Sequence, residues 1–350
     1  MAFDNGIIDL RSDTVTKPTV EMRKAMSTAE VGDDVYEEDP TINRLEELAA
    51  EKMGKEAGLF VASGTMGNLI AILIHCQRGD EAIMGNKGHT FLHEVGGMSA
   101  LGGVFANVIA NQNDGTLSLP DIKNAIRDPD VHHPITRLVI LENTQNRCGG
   151  IPLSLDYMIS AGEMVHNSGM RLHLDGARIF NAAIALGKSA EKIAEPADSV
   201  MFCLSKGLSA PVGSMLCGTK DFIHEARRVR KMLGGGMRQA GVLAAAGIIS
   251  LNSMIDRLGD DHRRASRVAD LLSDIEGIEF DLGMPASNMV FIQLTQNNKI
   301  EPHTIISRLK ENGILIGQCG PRNFRLVTHY WISDEDLPSI NEGFHRVFRS

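Results

Sequence analysis

The sequence predicts an α/β protein, with a large domain on a mainly parallel sheet followed by a smaller C-terminal α+β domain. Three observations predict it. Short apolar runs alternate with longer amphipathic segments through the first two-thirds of the chain, the pattern of repeated βαβ units. Two of those runs, Arg171 to Asp175 and Val200 to Leu204, stop at Asp175 and just short of Lys206. The two residues lie 31 positions apart, one helix plus one strand, so parallel neighbours with both side chains on one sheet edge are expected. Finally, the chain changes character near residue 255, where a long polar helix over 256–274 precedes short strands at 277–281, 288–294, 313–317 and 323–327. Helices over 301–311 and 334–348 complete that part, giving an arm and large domain over 1–255 and a small domain over 256–350.

At 350 residues, 43% hydrophobic and 23% charged, the chain is long enough for two cored domains, and its composition excludes disordered and fibrous classes. A net charge of −9 argues against nucleic acid or anionic membrane as partner, because both need a basic surface. No stretch approaches ~18 uninterrupted apolar residues, and MAFDNGIIDL lacks the pattern of an export signal. Five scattered cysteines with no C-x-x-C pair read as free thiols in a reducing compartment. A soluble cytoplasmic protein is expected.

Taken in order, IIDLRSDTVTKPT opens apolar and turns polar, with Ser12 and Asp13 placed to cap the segment from Thr14 onward. VGDDVYEEDP carries five acids around Tyr36 and reads as a solvated loop, since calcium-loop spacing is absent. Ile42, Leu45, Leu48, Ala49 and Met53 recur at helical spacing. A strand over 59–62 then runs through Ser63-Gly64-Thr65-Met66-Gly67-Asn68 into the apolar helix LIAILIHC. Such a turn presents backbone N–H groups at the positive end of a helix, which suits a phosphate. It is not a Walker A loop, because it carries no Gly-Lys-Ser/Thr.

After a strand ending at Ile83-Met84, His89 and His93 stand four apart with Glu94 beside them. The order is not H-E-x-x-H and a third clear ligand is missing, so no metal is expected. The strand-helix-strand pattern repeats over 104–142 and ends in Asn143-Thr144-Gln145-Asn146. Helices are expected over 154–167 and 177–187, the second with Arg178 in its first turn. A cation there opposes the helix dipole and implies an anion nearby. DFIHEARRVRKML is a basic helix in an acidic protein, separated by Gly234-Gly235-Gly236-Met237 from a second helix. Arg325, inside the apolar strand FRLVTH, also needs an anion.

Ser205-Lys206-Gly207 terminates its strand at the edge where open α/β sheets bind ligands. A surface lysine in a polar turn, or a structural salt bridge to Asp175, is the plainer interpretation. A lysine and a carboxylate on one edge are also what pyridoxal phosphate (PLP) needs, a Schiff-base amine and a partner for the pyridine nitrogen.

The segments LRSDTVTKP, VGDDVYEEDPT, SGTMGN, LENTQN, LHLDGARIFNA, LSKGLSAPVGS, GGGMRQAG and FRLVTH resemble those of the low-specificity L-threonine aldolases, fold type I PLP enzymes. The resemblance runs from about Ile8 to the C-terminus. It implies a PLP cofactor bound through Lys206, with Asp175 on the pyridine nitrogen, Gly64 and Thr65 on the phosphate, and His89 stacked on the ring. Arg178 is implied for the ring hydroxyl and the substrate carboxylate, with Ser12 and Arg325 on that carboxylate and Tyr36 near the substrate. Lys231 and Arg238 are implied at the phosphate of a neighbouring subunit's cofactor, so that a homotetramer with shared sites is expected.

One position departs from the pattern. Gln145 stands where the family commonly has a histidine, in ENTHN. Glutamine can hydrogen-bond the substrate hydroxyl but cannot act as a base, which leaves His89, ahead of an ordered water, as the expected base. His93 is expected to be structural. The implied reaction is retro-aldol cleavage of L-threonine or L-allo-threonine to glycine and acetaldehyde. Another fold type I lyase acting by β-elimination is the alternative, and a non-catalytic PLP-binding protein a more distant one.

Overall fold

The computed structural model describes residues 6–349. Its strands are β1 (Ile8–Asp9), β2 (Ala57–Val61), β3 (Glu81–Gly85), β4 (Phe105–Ile109), β5 (Thr136–Glu142), β6 (Arg171–Asp175) and β7 (Ser199–Cys203). They continue with β8 (Ser214–Gly218), β9 (Ile278–Glu279), β10 (Met289–Leu294), β11 (Ile314–Leu315), β12 (Gly317–Gln318) and β13 (Asn323–Val327).

Seven of them form one sheet in the order β2-β8-β7-β6-β5-β3-β4. The β4-β3-β5-β6-β7 run is parallel throughout, and β8 is inserted antiparallel between β7 and β2. β6 and β7 are direct parallel neighbours, as the spacing of Asp175 and Lys206 predicts. Their strands are almost wholly buried, the expected consequence of helices covering both faces of a parallel sheet.

The sequence pattern does not predict β8. Its run SMLCG is five residues of small and apolar side chains directly after Gly213, too short to show a period. Gly213, at φ +100, makes the turn into it, and a Cβ there would sit 2.4 Å from the Phe60 ring. Only glycine fits such a position.

The second sheet is four-stranded and antiparallel, β12-β13-β10-β9. It encloses a separate core with the helices Leu258–Leu272, Pro302–Glu311 and Leu337–Phe348. The arm joins that core rather than the large-domain one: Leu10 is fully buried within it, and β1 pairs with β11 in parallel. Contiguity in sequence groups the arm with the large domain, whereas its packing groups it with the small one. Helix Leu258–Leu272 is shared, with Leu258 packed in the large core and Val268, Ala269 and Leu272 in the small one. Among the described residues, no single helix is long and apolar enough to cross a membrane.

Candidate active site

The C-terminal ends of β2, β5, β6 and β7 converge on a cavity of about 330 Å³. Its walls include Ser63, Gly64 and Thr65 from the turn after β2, Glu142 at the end of β5 with Thr144 and Asn146 beyond it, Asp175 at the end of β6 with Ala177 and Arg178 beyond it, and Lys206 after β7. A second cavity of about 280 Å³ shares Thr14, His89, Asn146, Arg178 and Lys206 with the first, and adds Ser12, His93, Arg147, Cys319 and Arg325. Lys206 therefore stands where an inner and an outer chamber meet.

In the inner chamber the side chain of Ser63 caps the helix Gly64–His75 by accepting from the Met66 N–H at 3.2 Å. The N–H groups of Gly64 and Thr65 have no protein acceptor among the described residues and border the cavity. Gly64 is needed for close approach, since a Cβ there would lie 3.1 Å from both Cys203 Sγ and Met201 Cε.

Asp175 is buried, and its carboxylate accepts from Asn68 Nδ2 at 2.9 Å and from the Ala177 N–H at 3.1 Å. Asn68 is itself fixed: it also donates to Glu94 Oε1 at 2.8 Å, and its Oδ1 accepts from His173 Nε2 at 3.0 Å. Burial pushes the His173 imidazole down to about 3, so it stays neutral and holds this orientation across the working pH range.

His89 Nδ1 lies 2.9 Å from Glu94 Oε1, and that hydrogen bond raises its pKa above the ordinary value despite partial burial, with the Asp175 charge adding to it. Its backbone N–H donates to Glu142 Oε2 at 2.7 Å. Glu142 is buried beside Asp175, and burial together with that charge pushes its carboxyl up to about 7.

The loop that carries Lys206 is clamped by the arm, whose Thr16 hydroxyl donates to the Lys206 carbonyl at 2.9 Å. The Lys206 amine has no hydrogen-bond or ion-pair partner among the described residues, so the salt bridge to Asp175 does not form. A second unsatisfied group, the buried Thr144 hydroxyl, lines the same cavity.

Arg178 is the N-cap of helix Ile179–Leu186 rather than part of its first turn, and the anion that its position implied is Asp13 of the arm. Its Nε and Nη2 donate to the Asp13 carboxylate at 2.7 and 2.5 Å, both residues being buried. The guanidinium, aided by Lys206 and Arg325, holds the Asp13 carboxyl well below the usual carboxylate range against full burial. Nη1 is left for the cavities. Arg325, on β13, donates to Asn146 Oδ1 at 2.7 Å and, with Ser12, walls the outer chamber. Ser12 also does what its composition suggested, accepting from the Thr14 N–H at 3.3 Å.

Four expected site residues lie elsewhere in this chain. Gln145 is buried within its own turn, accepting from the Cys148 N–H at 2.8 Å and donating to the Lys87 carbonyl at 3.0 Å, so it borders neither chamber. The tight turn before Gly149, at φ +98, directs it inward, and the side chain is consumed there in place of a substrate contact. Tyr36 is 71% exposed, beside Asp33, which pairs with Arg238 at 2.9 Å. Lys231 borders a separate cleft with Arg227 and Asp34. Tyr36, Lys231 and Arg238 thus share one outer face and reach a PLP site only if it belongs to another subunit.

The chemistry of the donor set fits PLP: an unpaired amine, a buried carboxylate fixed for a ring nitrogen, free helix N–H groups for a phosphate, and an imidazole between them. Fold and site together define a fold type I PLP-dependent enzyme. The family model of the beta-eliminating lyases matches residues 9–295. A probable low-specificity L-threonine aldolase 2 of Arabidopsis thaliana is 46% identical, covering 98% of this chain and 98% of its own. The low specificity L-threonine aldolase of Escherichia coli K12 is 44% identical over 95% of this chain and 97% of its own. In structure, the chain superposes on a threonine aldolase of Leishmania major with a TM-score of 0.83 at 21% identity, covering 97% and 99% of the two chains. The chain belongs to the beta-eliminating lyase family and, within it, to the low-specificity L-threonine aldolases.

Proposed function

We propose that this chain cleaves L-threonine and L-allo-threonine to glycine and acetaldehyde, with PLP held at Lys206. The observation that carries this is the unpaired Lys206 amine, set between the fixed Asp175 carboxylate and a chamber walled by Arg178, Arg325 and Ser12. PLP supplies an electron sink for the bond-breaking step.

The protein's part is positioning and charge. Asp175, aligned by Asn68, would keep a bound pyridine nitrogen protonated, and the Gly64 and Thr65 N–H groups at the helix end would hold the phosphate. His89, its Nδ1 anchored on Glu94, would cover the ring. Arg325 and Arg178 hold the substrate carboxylate by charge-assisted hydrogen bonds, with Ser12 beside them. That fixes the direction of the Cα–Cβ bond. The arm closes the chamber through Thr16 and Asp13 and limits the access of water.

The working enzyme is a homotetramer whose Lys231 and Arg238 complete a neighbour's phosphate site. Their common outer face, away from Lys206, supports this. It works in the cytoplasm, in threonine breakdown and glycine supply. Five free thiols, four of them buried, favour a reducing compartment.

The test is product analysis with the PLP-loaded protein: glycine and acetaldehyde in equal amounts support the reading, whereas 2-oxobutanoate and ammonia from threonine would mean β-elimination. For the assembly, mixed Lys206→Ala and Arg238→Ala subunits should regain part of the activity that each lacks. Full activity in a verified monomer would refute sharing.

A further inference from the structure

The outer chamber holds two imidazoles, those of His89 and His93, whose ring centroids are 5.4 Å apart. Their states differ. His89 is anchored on Glu94 through Nδ1, which raises its pKa, and it is assigned to the ring of PLP rather than to the substrate's hydroxyl. Gln145 is turned away from the chamber.

His93 is different in each respect. It lies exposed at the chamber's mouth, beside the two groups assigned to the substrate carboxylate side, Ser12 and Arg325. Arg147 Nη2 stands 3.3 Å from its Nε2, and because a guanidinium can only donate, Nε2 must present its lone pair. Arg147 is itself held in place by donating to the Cys319 carbonyl at 2.8 Å. The groups facing the ring are His89 from its own helical turn, Arg147 from the turn after β5 and Arg325 from β13. Partial burial and these three lower its pKa, so the ring is neutral at neutral pH.

We propose that His93, not His89, is the catalytic base for the substrate's β-hydroxyl, accepting its proton at Nε2 in place of the long contact with Arg147. This rests on the threonine cleavage proposed above. The hydroxyl O–H breaks and an N–H forms. The freed oxygen pair becomes the second C–O bond of acetaldehyde, and the Cα–Cβ pair stays with the glycine carbon until a proton is returned there. The proton on Nε2 then leaves to solvent at the mouth, helped by the cations around it.

The test uses PLP-loaded His93→Ala and His93→Gln enzymes. Cleavage of L-threonine is measured as a function of pH, together with glycine binding by absorbance titration and exchange of the glycine Cα proton in deuterated water. Glycine lacks the hydroxyl, so its binding and exchange do not need this base. Both variants should lose about 10²–10⁴-fold in threonine kcat/KM, and the acid limb, which lies below the ordinary histidine value of about 6.5, should vanish. Glycine binding and exchange should stay within about threefold of the parent. The assignment is overturned if the Gln variant keeps parental cleavage, if the acid limb persists, or if glycine binding falls in step with cleavage. A parent enzyme that exchanges the glycine proton but releases no acetaldehyde from threonine overturns the functional reading itself, and this assignment with it.

Discussion

The two chambers that meet at Lys206 are built in different ways. The inner one is walled mostly by strand ends between Ser63 and Gly213, with Thr14 and Thr16 of the arm at its rim, so most side chains there are placed by the strand that precedes them. The outer one draws Ser12 from the arm, His93 and Arg147 from two loops, and Arg325 from the small domain, residues up to 313 positions apart. A chamber made by one sheet is fixed by local chain geometry. A chamber made by docking is fixed by packing between separate cores.

The largest expected effect falls on the hinge between them. Lys206→Ala removes an amine with no hydrogen-bond or ion-pair partner among the described residues, so the fold should persist while turnover and the absorbance of covalently bound PLP are both lost. Thermal melting and a visible spectrum check this. A well-folded variant with normal turnover would break the description of both chambers at once.

Next comes the pair that ties the arm to the sheet. Asp13→Ala leaves Arg178 buried without its carboxylate, and breaking such a pair costs about 3–5 kcal/mol. The pH dependence has a definite sign: the Asp13 carboxyl is lowered, so its stabilisation is present above the ordinary carboxylate value of about 3.9 and is lost as pH falls through the lower folded value. Denaturant unfolding should show the loss at neutral pH, with the difference between parent and variant shrinking only in strong acid. An arm that docks independently of this pair would leave the midpoint unmoved.

Arg325→Ala separates the chambers. Losing one charge-assisted hydrogen bond of about 1.5–3 kcal/mol should raise KM for threonine ~10–150-fold, while the PLP absorbance set by the inner chamber stays unchanged. An unchanged KM would place the carboxylate elsewhere.

What can be read from the sequence divides along the same line. Strand ends and spacing place Asp175 and Lys206 on parallel neighbours, because a βαβ unit fixes both. The arm's attachment to the small core is not legible in this way, since Leu10 pairs with residues some three hundred positions away that no local pattern links. Asn68, which fixes Asp175, is within reach of sequence reasoning: it sits inside the SGTMGN turn whose N–H groups suit a phosphate. His93 reads as structural in the sequence because Arg147 and Arg325 become its neighbours only on folding. The dipole argument places an anion beside Arg178, but only the folded arm identifies that anion as Asp13.

The smallest effect is expected at Gln145, where the two kinds of construction can be told apart most finely. If Gln145 is a brace of the turn after β5, Gln145→Ala removes neutral hydrogen bonds to the Cys148 N–H and the Lys87 carbonyl, about 0.5–1.5 kcal/mol each. The loss appears in the unfolding midpoint. Catalysis should change by less than about threefold, since the side chain borders neither chamber. Gln145→His, which restores the residue common in the resembling family, should not raise kcat/KM, because the turn directs that position inward against Gly115, where a Cβ would already lie 2.8 Å from the Gln145 side chain. The comparison to make is kcat/KM for threonine and allo-threonine beside the unfolding midpoint in the parent and both variants. A tenfold or greater loss of kcat/KM with an unmoved midpoint would put Gln145 on the substrate after all, and would mean that the outer chamber rearranges when substrate enters.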